Sequence, residues 1–341
     1  MNWSSLQRSK AAQLILWPLS LVYAAVVRAR VKAYANGRRK QKRLQGAVVS
    51  VGNLTVGGVG KTPMVLWLAE KFLAQGQRVA ILTRGYRGEG GNSDEVELLR
   101  TRLGKRATVA VGANRFATGA ALEAAQSVDI FLLDDGFQHL QLARDVDILL
   151  MDASHSLAGE SLLPAGRLRE PLSAMARADA LVFTRAETQP GISNVVSSLQ
   201  AYPVFSATTK LLGFRRLGGD NGELFALGQI GDGPFFAFCG LGNPQQFFRD
   251  LAGWGLSIGG QRIFPDHYRY TAGDAAALER AAKEANARGM ITTEKDANNL
   301  GGVSLQGVPV FVAIIDIEVS QEEEFLSLIQ SKIAQRVGAA S

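Results

Sequence analysis

The stretch that most constrains this chain is "TVGGVGKTP", Thr55 to Pro63. It follows an apolar run of strand length, Ala47 to Val51, and leads at Lys61 into an apolar-rich helical segment. Strand, glycine-rich turn and helix in that order converge backbone N–H groups on one point. The helix N-terminus adds partial positive charge there, and the combination binds phosphate. The cradle comprises Thr55, Val56, Gly57, Gly58, Val59, Gly60, Lys61 and Thr62. Lys61 reaches the terminal phosphates of a nucleotide, and the Thr62 hydroxyl is a Mg2+ ligand. The strict pattern G-x-x-x-x-G-K-[ST] has glycine where this chain has Thr55, but that position is the entry to the loop, so the cradle survives. Pro63 is acceptable in a first helical turn, where its missing N–H is not needed.

Such a site needs a carboxylate at the end of a neighbouring apolar strand, and "VDIFLLDDGFQH" supplies Asp134 and Asp135 there. One of the two holds Mg2+, directly or through water, and the spacing does not choose between them. Around these motifs, apolar runs of strand length alternate with helical stretches from Ala47 onward. The runs at Arg78 to Thr83, Thr108 to Val111, Asp129 to Leu133, Asp147 to Met151 and Ala180 to Thr184 are mostly apolar on both faces, as buried parallel strands are. The expected fold class is α/β: a P-loop NTPase-type, mainly parallel sheet with helices on both faces, joined to a smaller α/β C-terminal domain. The expected divisions are an N-terminal anchor (residues 1–44), a P-loop domain (45–203), a β-hairpin linker around GGDNG (204–228) and the C-terminal domain (229–341).

Charge is distributed unevenly. No Asp or Glu precedes Glu70, whereas eleven Lys or Arg lie between Arg8 and Lys61; the other 26 basic residues face 31 acidic ones, a balance of about −5. A nucleic-acid binder spreads basic residues over its folded surface, so no nucleic-acid partner is expected. The cluster instead adjoins Ala11 to Val27, seventeen residues without charge, followed by eight cations from Arg28 to Arg43. As a helix this run extends about 26 Å, marginal for a hydrocarbon core about 30 Å thick, and it contains Pro18. It is expected to anchor the chain to a membrane by spanning it or lying in one leaflet, with Trp3, Trp17, Tyr23 and Tyr34 as interfacial residues. The single Cys239 permits no internal disulfide and suits a reducing compartment.

Partner-regulated dimeric ATPases carry an extra lysine before the paired glycines, where this chain has Val56. A GTPase would carry N-K-x-D, and the nearest string, "TTEKDA" at Thr292 to Ala297, has the wrong order. Taken together, "TVGGVGKTP", "TRGYRG" (Thr83 to Gly88), "DDGFQH" (Asp134 to His139), "LPAGRLREP" (Leu163 to Pro171), "FPDHYRY" (Phe264 to Tyr270) and "TTEKDA" resemble the tetraacyldisaccharide 4'-kinase family of lipid A biosynthesis.

The resemblance implies ATP-dependent phosphorylation, with Mg2+, of the 4'-hydroxyl of a lipid A disaccharide 1-phosphate. The reaction would take place at the cytoplasmic face of the bacterial inner membrane, with no obligate protein partner. It also implies a catalytic base at Asp94 paired with His267, the latter delivered by the C-terminal domain across an interdomain cleft. At that base the family reads GDEP and this chain reads SDEV, Ser93 to Val96. Glu170 is implied as a further Mg2+ carboxylate. Arg84, Arg87, Arg167 and Arg169 lie in turn-like segments where their forks meet phosphates of substrate or ATP, and Gln138 and His139 complete the implied substrate set. The competing reading is a membrane-recruited P-loop ATPase switch without a lipid acceptor.

Overall fold

The computed structural model describes residues 10–85, 93–188, 202–219, 223–303, 305 and 307–339. Two units divide the chain: Met1–Tyr86, Leu103–Thr208 and Glu318–Ser341 form the first, and Arg87–Arg102 with Thr209–Ile317 the second.

In the first unit the strands are β1 (Ala47–Asn53), β2 (Val79–Thr83), β3 (Thr108–Val111), β4 (Ile130–Asp134), β5 (Val146–Asp152), β6 (Ala180–Thr184) and the beginning of β7 (Val204–Arg216). They lie in the order β3-β2-β4-β1-β5-β6-β7, each neighbouring pair parallel. β1 is central and buried at all seven residues, which explains its Val-rich sequence without polar alternation. Its helices are α1 (Lys10–Ala35), α2 (Lys61–Ala74), α4 (Arg115–Ala125) and α8 (Glu322–Ala339). α2 buries Met64, Val65, Leu66, Trp67, Leu68, Ala69 and Phe72.

The second unit contains α3 (Asp94–Leu103, up to Arg102), β8 (Phe235–Cys239), α5 (Pro244–Gly253), β9 (Ile258–Ile263), α6 (Ala272–Glu284), β10 (Gly289–Thr293), α7 (Glu294–Asn299) and most of β11 (Val310–Val319). Its strand order is β7-β11-β10-β8-β9, with β11, β10, β8 and β9 parallel. Phe235, Ala237 and Ile291 face one buried cluster, while Phe236, Phe238 and Met290 face another, so the sheet is covered on both sides.

The mainly parallel α/β architecture matches the expectation, but the divisions along the chain are redrawn. The segment beginning at Arg87 belongs with the second unit, and the chain from Glu318 returns to the first. Packing decides the return: fully buried Phe325 of α8 lies 4.7 Å from the Phe205 ring and 6.0 Å from Trp67. The linker expected at 204–228 is largely β7, whose Phe214 bridges Phe225 in antiparallel fashion; residues 220–222 of its turn lie outside the described residues.

Of the two forms expected for the anchor, spanning finds no support. α1 forms, with Pro18 inside it, but no helix among the described residues is long and apolar enough to cross a membrane. One face of α1 instead docks on the first unit. Ser20 donates to Leu162 O at 3.0 Å and accepts from Ala165 N at 3.0 Å, and the Tyr23 hydroxyl donates to Arg169 O at 2.9 Å. Trp3 lies outside the described residues.

Candidate active site

The phosphate loop leaves β1 at Asn53, a fully buried side chain that organises both limbs of the turn. Its Nδ2 donates to Thr55 O at 2.7 Å, and its Oδ1 accepts from Lys61 Nζ at 3.2 Å. The entry limb is clamped by "LPAGRLREP": Val56 N donates to Arg167 O, Arg169 N donates to Leu54 O, and Thr55 bridges Leu168. Thr55 therefore sits in extended pairing, where a glycine is not required. The exit limb is held from β6, with Thr184 Oγ1 donating to Val59 O at 2.9 Å and Arg185 donating to Gly58 O at 3.1 Å. Gly60, with φ 84°, forms the N-cap of α2, a left-handed conformation that a β-carbon penalises. No side chain caps α2 and no acid lies in its first turn, so its leading amides and dipole are available to an anion.

β4 delivers the two carboxylates beside this loop, because it pairs directly with β1. Asp134 is buried and accepts from Thr83 Oγ1 at 3.2 Å. Asp135, at φ 50°, receives Arg169 at 2.8 and 2.9 Å and lies 3.5 Å from Lys61. Burial alone would raise the Asp135 pKa, but Lys61 and Arg169 more than reverse this and hold it below the usual carboxylate value. Arg115, which opens α4 and is buried, also faces both aspartates; burial, and then Arg84, pull its own pKa down.

Gln138 donates to Asn53 O at 3.0 Å, tying the DDGFQH turn to the end of β1. His139 is pushed down to about 4, first by burial and then by Arg115, Arg144, Arg30 and Arg84, so it is neutral at physiological pH. Glu170 is buried with both oxygens held by Arg177 at 2.9 and 3.0 Å, and Arg177 also stacks on Phe137. Arg167 is engaged by Glu160 at 3.2 Å. Arg84 follows β2 and is exposed, and Arg87 lies outside the described residues.

Among the described residues, no group of three or more His, Cys, Asp or Glu could hold a metal alone. Mg2+ in phosphoryl transfer takes one or two carboxylates and completes its shell with nucleotide oxygens and water. Thr62, Asp134 and Asp135 fit that donor set; Glu170, like Asp135, has both oxygens on an arginine, but its side chain is 4% exposed against 37% for Asp135.

Asp94 and His267 belong to the second unit. Asp94 is the first residue of α3, whose start is capped by Ser93: its Oγ accepts from Val96 N and its carbonyl from Glu97 N. The SDEV variant thus supplies a helix cap of its own. His267 takes φ 62°, and its Nδ1 donates to Asp94 Oδ2 at 2.9 Å. The hydrogen bond to Asp94 is the main reason that the His267 pKa rises, while burial and Lys295 oppose the rise. Burial would raise the Asp94 pKa, but bonds from His267 and Asn299 and the charge of Lys295 lower it overall. The pairing expected between Asp94 and His267 is therefore present, 173 residues apart in sequence.

Sequence reasoning missed Asn53, Arg115, Lys295 and Asn299. "TTEKDA" entered that reasoning as part of the family resemblance and as a failed base-recognition string, not as the start of a helix. Its Thr293 and Asp296 stand three apart, however, and Thr293 does cap α7 by accepting from Asp296 N.

Comparison with known proteins fits this geometry. A model of the family described as tetraacyldisaccharide-1-P 4'-kinase matches residues 12–334. The chain belongs to the tetraacyldisaccharide 4'-kinase family. Relatives bearing that name include one from Geobacter metallireducens, 38% identical across 89% of this chain and 94% of its own length. Another, from Syntrophobacter fumaroxidans, is 39% identical across 84% and 79%. The crystal structure of the Aquifex aeolicus kinase in complex with ATP superposes with a TM-score of 0.75 at 31% identity, covering 94% of this chain and 99% of that one. A tetraacyldisaccharide 4'-kinase is an ATP-dependent enzyme of lipid A biosynthesis, and the reading as an ATPase switch without an acceptor is not favoured.

Proposed function

We propose that this kinase transfers the γ-phosphoryl group of ATP to the 4'-hydroxyl of a lipid A disaccharide 1-phosphate, using the residues just described. The observation that carries this reading is the uncapped start of α2, with Lys61 steered by Asn53 and Asp135, in a chain of this family. Amides of the loop and Lys61 hold the β- and γ-phosphates, and Arg169 and Arg115 add positive charge around the acidic turn. Thr62 with Asp134 or Asp135 would hold Mg2+, which neutralises developing charge on the phosphates when bound. Asp94 orients the acceptor hydroxyl and takes its proton late, because a loose phosphoryl transition state demands little early deprotonation. His267 holds that carboxylate in place.

The enzyme works at the cytoplasmic surface of the inner membrane, where its lipid acceptor resides, and α1 lies on one leaflet. The support is its outer face: Ile15, Trp17, Leu19, Val22 and Val26 are 57–75% exposed, and four of them recur at helical spacing. Eight cations follow that face in sequence, between Arg28 and Arg43, a charge suited to anionic lipid. The test is product formation from ATP, Mg2+ and the disaccharide 1-phosphate in mixed micelles, resolved by thin-layer chromatography. Lys61→Ala should abolish it. Phosphate release without a lipid product would overturn the reading.

A further inference from the structure

We propose that Lys295 and Asn299, four residues apart on α7, are a positioning pair that commits one oxygen of the Asp94 carboxylate to the protein and leaves the other for the acceptor hydroxyl. This rests on the reading of Asp94 as the base. Among the described residues every contact to the carboxylate falls on Oδ2: His267 Nδ1 at 2.9 Å, Asn299 Nδ2 at 2.9 Å and Lys295 Nζ at 3.8 Å. A carboxylate oxygen accepts about two hydrogen bonds, so Oδ2 is filled and Oδ1 is the remaining acceptor.

The spacing makes this work. Residues four apart lie on one face of a helix, so α7 presents both donors to a single point. A helix of six residues would fray on its own, but α7 is nailed down by Asp296, which lies between the two donors and is fully buried. Asp296 accepts from Thr293 Oγ1 at 2.6 Å, Gly240 N at 2.7 Å and the Tyr270 hydroxyl at 2.8 Å. Rotating α7 would strip a buried carboxyl of these partners, a change with a heavy desolvation penalty.

Lys295 also joins Asp94 to Asp266, whose Oδ1 it meets at 2.6 Å, while the other Asp266 oxygen lies 3.7 Å from His267 Nε2. Asp94, His267, Asp266 and Lys295 thus close a ring of alternating charge, with Asn299 as its neutral member. The ring fixes His267 in a left-handed backbone conformation that a non-glycine residue avoids without such support. A cation beside a base weakens its basicity, so the pair serves orientation rather than proton affinity. That suits a reaction in which the proton leaves late.

The test combines kinetics with a titration that does not depend on turnover. In the full chain, Asn299→Leu should lower kcat about tenfold with KM little changed, because misorientation of a reacting group costs rate rather than affinity. Lys295→Met should move the acid limb of kcat/KM to higher pH, and Lys295→Arg should restore it. Asn299→Asp, close to isosteric, should also raise that limb by placing a second carboxylate beside Asp94. Only three histidines occur, so the imidazole of His267 can be followed by NMR; in Lys295→Met it should titrate higher than in the parent chain. Asp94→Asn run in parallel separates the two ideas. If it retains full kcat, the base assignment fails and this inference with it. If it is inactive while Asn299→Leu and Lys295→Met keep the parent kcat, acid limb and His267 titration, the positioning pair alone is refuted.

Discussion

Replacing Gly52 and Gly58 by alanine, one at a time, should separate the architecture of the phosphate loop from its chemistry. A β-carbon on Gly52 would stand 2.6 Å from Phe137 Cβ and 2.7 Å from Phe137 N. Part of that obstacle is the backbone of the DDGFQH turn, which cannot rotate away, and Gly52 lies in the central strand. Overpacking of this kind costs about 1–3 kcal/mol, and with backbone as the obstacle we expect about 3 kcal/mol. At 2–4 °C per kcal/mol for a unit near 200 residues, the melting temperature should fall by about 6–12 °C. Gly58 is the opposite case, because its added β-carbon meets nothing within 4 Å and its φ is not positive. Folding stability of Gly58→Ala should stay within about 0.5 kcal/mol of the parent. The methyl group would instead occupy space beside the loop amides, and ATP should bind about tenfold more weakly, equivalent to about 1.4 kcal/mol. Differential scanning fluorimetry and calorimetric titration with ATP read the two effects independently. A Gly58→Ala chain that binds ATP as tightly as the parent would refute the amide cradle, and an unshifted melt for Gly52→Ala would refute the close approach of β1 to the turn.

Three further outcomes follow from the same geometry. His139 has a folded pKa of about 4, below the ordinary value of 6.5, so the unfolded chain binds more protons between those values. Its contribution to stability is present above pH 6.5 and lost as pH falls toward 4. Partial solvent access reduces the effect to about 2 kcal/mol, and urea denaturation of His139→Gln should show a correspondingly flatter dependence across that window. Arg336 of α8 donates to Leu44 O, Gln45 O and Gly46 O at 2.6–2.7 Å and meets buried Asp145 at 3.1 Å. Arg336→Ala should therefore destabilise the first unit by about 2–3 kcal/mol in urea titrations. Ile15→Glu with Val22→Glu and Val26→Glu should abolish cosedimentation with anionic vesicles while ATP affinity is retained; unchanged cosedimentation would remove α1 from membrane attachment.

Much of the first unit was legible because local pattern and tertiary role coincide there. β3 and β6 were bounded to the residue by the runs TVAV and ALVFT, which have no competing reading. β9 escaped notice because IGGQRI has two glycines and little apolar periodicity; its strand character comes from pairing with β8. α7 was hidden by its length, although its capping threonine was visible. The phosphate loop could be read from eight consecutive residues. The surroundings of Asp94 could not, since Asn299 and Lys295 reach it from about 200 positions away, and no local periodicity encodes such a contact. The return of α8 to the first unit was hidden for the same reason, being decided by Phe325 and Arg336 rather than by anything within the helix.

The clamps on the phosphate loop impose an order on synthesis. Residues 55–62 emerge from the ribosome early, but the groups that set their shape, Arg167 to Arg169 and Thr184 to Arg185, are translated more than a hundred codons later. The arginine that fastens residues 44–46 is translated about 290 codons after them. Domains commonly mature from the N-terminus as they are made. Here the first-made unit is the last to be completed, and a nascent chain arrested before codon 184 should be unable to retain nucleotide.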